Sequence, residues 1–283
     1  MKTVNSLSGG KTSSYIAANY PADYNVFALV RIEGDKCKFP DKKIRQEVED
    51  RIQAPFIATA EDDMIIYTML DLEQYIGQKI HWVTGKTFDE ILIKKNGNTF
   101  LPSYIRRFCT VQMKIEPIAK WCYDNISEAP LMRIGFRSNE HRRAASMIER
   151  QNKNGFIEVK ICVGKHQNGN NKWKTIDYCK PEFPLIKDGI YKDKVERYWK
   201  DKPVRFAWMN NCVGCFHKEA TLLKKMWEKH PNKLDWFASK ERESLNGATW
   251  KEYKTYDQIK DWNVQTELFD DDFNECDSGY CGL

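Results

Sequence analysis

The sequence predicts an α/β fold, a doubly wound and mostly parallel five-stranded sheet followed by a helical, cysteine-containing C-terminal extension. Three observations carry this. Residues 2–7 read as a short strand that breaks at Gly9-Gly10 and passes into a helix-compatible run at 15–20. Residues 26–30 are continuously apolar, as in a strand buried on both faces of a parallel sheet. A helix with Ile44, Val48 and Ile52 on one face then leads to a third short strand at 55–59, so strands and helices alternate along the chain.

The remaining elements follow in order. Asp41 caps the helix carrying Ile44. Residues 60–105 read as an insertion, with a helix at 64–72, a segment around His81, Trp82 and Gly85, and a turn at Asn96-Gly97-Asn98. From Arg106 the chain enters a helix with Ile115, Ile118, Ala119 and Cys122 in one apolar stripe. Residues 131–134 form a further strand. The alternation of Ile157, Val159, Ile161 and Val163, the Asn168-Gly169 turn and residues 173–178 predict a β-hairpin over 156–178. A helix over 188–199 turns Ile190, Tyr191, Val195, Tyr198 and Trp199 inward. The α/β domain is thus expected to span 1–204 and the cysteine-rich helical extension 205–283.

The chain has 283 residues, 41% hydrophobic and 30% charged, with a net charge of +5. That charge is mild and dispersed, so composition does not argue for a nucleic-acid binder, although it suits a polyanionic small molecule. No apolar run approaches the ~20 residues of a membrane span, and no basic-then-apolar segment precedes the Gly-Gly turn. The expectation is a cytoplasmic protein without a membrane partner. Its nine cysteines are then buried thiols, metal ligands or redox groups rather than disulfides.

Chemistry concentrates in three places. The turn Ser8-Gly9-Gly10-Lys11-Thr12-Ser13 joins a strand to a helix, so its N–H groups converge on one point and accept an anion. A Walker A match fails, because its first glycine would fall on Asn5; Gly85-Lys86-Thr87 fails likewise at Ile80. Read alone, the turn is equally a Gly-Gly bend beside a solvated lysine. Second, Gly135 closes a strand just before Arg137, Arg142 and Arg143, whose guanidinium forks suit phosphate or sulfate, or else make a solvated helix start. Third, Cys109 lies among Arg106, Arg107 and Lys114, which predicts a lowered thiol pKa, and Cys212-Val213-Gly214-Cys215 is a C-x-x-C knuckle beside His217.

In order, the Ser8-Gly9-Gly10-Lys11-x-Ser13 loop, Phe39-Pro40-Asp41, Cys109 with Lys114 and Pro117, Gly135-x-Arg137-x-x-Glu140-x-x-Arg143, Cys212-x-x-Cys215 and Cys281-Gly282 form one set. The set resembles the phosphoadenylyl sulfate (PAPS) reductase family of the adenine nucleotide α hydrolase, or PP-loop, superfamily. The resemblance covers most of the chain, least at 60–105 and after 235. It implies a Rossmann-like fold and an adenine nucleotide, PAPS or ATP, bound by Ser8, Gly9, Gly10, Lys11, Thr12, Ser13, Gly135, Arg137 and Arg142.

Lys11, Arg137 and Arg143 would act on the activated sulfate, with Cys281 as the attacking thiol and a thiol reductant protein as partner. The tail reads Tyr280-Cys281-Gly282-Leu283, without the family's glutamate and histidine. Thr12 stands where PP-loop pyrophosphatases carry aspartate, which leaves Glu33 or Asp35 to contact a magnesium ion. Phe108 replaces one cysteine of the family's iron–sulfur set, so Cys109, Cys212, Cys215 and Cys281 (or Cys276) would hold a 4Fe-4S cluster, or zinc. Two alternatives stand beside a reductase. One is an ATP-dependent sulfur or adenylyl transferase with an iron–sulfur cluster, acting on nucleic acid; the other is a nucleotide-binding protein without catalysis.

Overall fold

The computed structural model describes residues 1–93, 97–244 and 247–262. Strand β1 (Thr3–Leu7) leads through the Gly-Gly turn into α1 (Lys11–Asn19), and β2 (Tyr24–Leu29) returns beside β1. A short β3 (Arg31–Ile32) precedes α2 (Lys42–Ile52), which Asp41 caps by accepting from the N–H groups of Lys43 and Ile44. Then come β4 (Ala58–Thr59), α3 (Met64–Ile76), β5 (Ile80–Thr84) and α4 (Phe88–Leu92). A helix begins as α5 (Phe108–Thr110), widens into a π-helical turn over Val111–Ile115 and continues as α6 (Glu116–Asn125). After β6 (Leu131–Arg133) and α7 (His141–Ile148) come the long strands β7 (Ile157–Lys165) and β8 (Asn171–Glu182). Helices α8 (Pro184–Lys187), α9 (Lys192–Trp199), α10 (Ala220–Lys229), α11 (Pro231–Arg242) and α12 (Tyr256–Asp261) complete the described chain.

The main sheet has six strands in the order β5-β2-β1-β6-β8-β7. Five are parallel and β7 runs antiparallel to β8 at one edge, so the expected α/β sheet is present with one more strand. Two strand assignments change. Residues 58–59 pair with β3 in a separate two-stranded ribbon, and the third parallel strand is β5, inside the stretch read as an insertion. The apolar run of β5 is short and holds His81, which hid it. The hairpin is integral to the sheet: β8 continues to Glu182 and pairs with β6 through Lys180, Pro181 and Glu182. Pro181 is accommodated opposite Met132 near the strand end, so it does not break the chain there.

One apolar cluster packs Leu7, Ile16 and Phe27 with α2, α3 and α9; another packs Val4, Val26 and Met132 with α6 and the β7–β8 hairpin. Inward residues of the 188–199 segment include Ile190, Val195 and Trp199, whereas Tyr191 is exposed. A third cluster joins Ile32, Ala58, Phe88 and Leu101 to Leu223, Phe237, Trp250 and Ile259. The helices after 205 therefore share a core with β3, β4 and α4. No described helix is long and apolar enough to cross a membrane.

Candidate functional site

The loop after β1 is shaped by Gly9 and Ser13. Gly9 has φ +81°, and a Cβ there would stand 2.4 Å from Cγ2 of Ile65 in α3, so only glycine fits. The Ser13 hydroxyl accepts the Ser8 N–H (3.2 Å), meets the Ser8 hydroxyl (3.0 Å) and donates to the Gly10 carbonyl (3.1 Å). Gly10 caps α1 in an extended conformation with no side-chain cap, and the helical ladder starts at Ser14 N–H to Gly10 O (3.0 Å). Among the described residues no hydrogen bond uses the N–H of Gly9, Gly10, Lys11, Thr12 or Ser13. Five unused donors beside a helix N-terminus are an arrangement that can accept an oxyanion.

Its place in the sheet is equally specific. β2 and β6 flank β1 on opposite sides, so the loop sits at the switch point where open α/β sheets bind ligands. The chain leaving β6 lies against it: a Cβ on Gly135 would be 3.5 Å from Thr12 Cγ2 and 3.6 Å from Ser13 N. Thr12 is buried and its hydroxyl has no hydrogen-bond partner.

The expected cations are brought near but are held by carboxylates. Lys11 pairs with Glu196 of α9, and the Trp199 indole donates to the Lys11 carbonyl (2.9 Å). Glu140 accepts from Arg137 N–H (2.8 Å) and Nε (3.3 Å) and also pairs with Arg143, whose guanidinium lies 4.5 Å from the Phe136 ring centre. Arg137 is buried and Arg142 exposed. Glu33 is exposed and accepts from the Thr87 hydroxyl (2.8 Å).

The thiols gather beside this loop through a residue pair that sequence reasoning missed. Lys114 borders a small cavity with Ser6, Leu7, Ser8 and Thr110, and its ammonium donates to Glu61 Oε1 (2.7 Å). Glu61 is fully buried, its Oε2 has no partner, and its backbone bridges to Cys212. The only signal was its position just past a strand end.

Val213 N–H to Ala60 O (2.8 Å), Lys218 Nζ to Cys212 O (2.6 Å) and Tyr256 Oη to Gly214 O (3.0 Å) fasten the knuckle. Gly214 is needed there, since a Cβ would meet the Phe237 ring at 2.4 Å. Burial, reinforced by Cys215, pushes the Cys109 thiol up to about 11, and burial raises Cys212 as well. The expected lowering of Cys109 is overturned, because desolvation outweighs the nearby Lys114. His217, with an unpartnered Nε2, is pushed down to about 4 by burial and by Arg107.

No family model, no curated protein and no solved structure matches the chain. Cys109, Cys212 and Cys215 are close enough to perturb one another. Yet among the described residues no group of three or more His, Cys, Asp or Glu side chains is placed to hold a metal ion. Cys276 and Cys281 lie outside the described residues.

Proposed function

We propose that this chain is a PAPS-reductase-like enzyme: it binds an adenine nucleotide through phosphate or sulfate groups at residues 8–13 and acts on an activated sulfate by thiol chemistry. The observation that carries this reading is the run of five N–H groups, Gly9 to Ser13, left without partners at the sheet's switch point. Those amides favour negative charge, and more so as charge accumulates on the phosphate when its bond to sulfur breaks. Arg137 and Arg143, fixed by Glu140, stand on the segment that follows the strand beside the loop. Cys281 is the attacking thiol in this reading, and a thiol-bearing reductant protein restores it.

Calorimetric titration with PAPS, adenylyl sulfate and ATP tests the first half. Sulfite release from PAPS with a thiol donor tests the second. Absence of binding by any of the three nucleotides removes the proposal; sulfite release that persists in Cys281→Ser removes the nucleophile.

A second reading rests on the Lys114–Glu61 pair, which links the loop cavity to the buried thiols. It is an ATP-dependent sulfur or adenylyl transferase acting on nucleic acid. Pyrophosphate release from ATP, dependent on an added RNA or DNA acceptor, distinguishes it from the reductase.

A further inference from the structure

The sheet has two edges, and the sequence treats them differently. On β7 the exposed Glu158, Lys160 and Lys165 and register shifts at Ile157/Glu158 and Cys162/Gly164 blunt the edge. The opposite edge, β5, reads Ile80-His81-Trp82-Val83-Thr84, with no formally charged residue, no proline and no register shift. Among the described residues β5 pairs with β2 alone. Glu73 takes the Ile80 N–H (2.7 Å), so the two-residue strand period turns the N–H and C=O groups of Trp82 and Thr84 toward the same open side. That side is a groove of about 700 Å³ flanked by α2 and α6.

We propose that β5 is the surface through which two copies of this chain associate, strand to strand and antiparallel, in a two-fold dimer with one continuous sheet. The helices beside the groove choose the occupant. Each presents an acid and a base one turn apart: Glu47 with Arg51 (2.8 Å) on α2, and Lys120 with Asp124 on α6. A two-fold axis perpendicular to the sheet sets each helix antiparallel to its own copy, so acid faces base on both faces of the sheet. A parallel arrangement would set like against like. The groove's charges are balanced, with Glu47, Asp50 and Asp124 against Arg51, Lys79 and Lys120, whereas the whole chain carries +5. Such self-complementarity is what an isologous interface requires.

Sedimentation velocity over a concentration series, with far-UV circular dichroism as the folding control, tests this. Wild type should sediment as a dimer. Thr84→Pro removes an N–H that the chain's own sheet does not use, and should weaken the dimer about 30-fold by deleting two symmetry-related hydrogen bonds. Lys120→Glu should weaken it too, and the charge swap Lys120→Asp with Asp124→Lys should restore it. A wild type that stays monomeric throughout the series overturns the proposal. So does a dimer that neither Thr84→Pro nor Lys120→Glu weakens, or a swap that dissociates as readily as Lys120→Glu. None of these outcomes depends on nucleotide binding.

Discussion

Gly9→Ala tests the loop most directly. At φ +81° an alanine adopts a conformation that costs an L residue about 1–2 kcal/mol. Its methyl would also stand 2.4 Å from Ile65 Cγ2, in a side chain only 1% exposed and unable to retreat into solvent. Overpacking of a filled core adds about 1–3 kcal/mol, for a total near 2–5 kcal/mol. Urea denaturation measures the loss, and nucleotide titration measures the accompanying fall in affinity as the loop leaves its left-handed bend. Ile65→Ala separates the two causes. Combined with Gly9→Ala it removes the collision, so the double variant should lose less than the sum of the single losses, by about 1–3 kcal/mol. Nucleotide affinity should remain low in the double variant, because the backbone strain persists. Gly9→Ala within about 0.5 kcal/mol of wild type, with unchanged nucleotide affinity, would refute the reasoning.

Three further outcomes are expected. Ser13→Ala deletes the hydroxyl that joins Ser8 to Gly10 and should cost about 1–3 kcal/mol and weaken nucleotide binding, while Ser14→Ala, whose hydroxyl has no partner, should do neither. Equal effects in both titrations would remove the scaffolding role. Lys114→Met leaves the buried Glu61 carboxylate without its cation and should cost about 3–5 kcal/mol in denaturant; adding Glu61→Gln should recover most of that. Burial, helped by Lys79, holds His81 below its ordinary pKa of 6.5, so the folded protein takes up this proton later than the unfolded chain. Its contribution to stability is complete above 6.5 and is lost as pH falls from there through the lower folded pKa. Urea midpoints at pH 7.5 and 5.0 should therefore converge in His81→Gln relative to wild type, and an unchanged difference would rule His81 out.

The alternation of apolar runs and amphipathic segments made the parallel sheet legible, because Val26 to Val30 and Ile44, Val48 and Ile52 each obey one period. The third parallel strand was not legible. In β5 the backbone pairs with β2 while His81 interrupts the apolar run, so 55–59, where Phe56, Ile57 and Ala58 are consecutive, took its place. The loop was readable from Gly9 and Ser13, since both act locally. Glu61 was not: its importance depends on Lys114, 53 positions away, and on a bridge to Cys212. Charge counting also misjudged Cys109, because neighbours in sequence say nothing of how completely the thiol is removed from water.

The π-helical turn at Val111–Ile115 sets the phase of everything on either side of it. It is clamped against Gly85, where even a methyl would reach 2.5 Å from the Gln112 carbonyl. Deleting Val111, an exposed residue within that turn, would let the backbone relax to ordinary α pitch and swing α5 by about 100° relative to α6. Cys109 would then point away from Cys215 while Lys114 kept its grip on Glu61. The one surplus residue thus works as an angular spacer, aligning a sulfur and an ammonium that regular winding would set on divergent bearings.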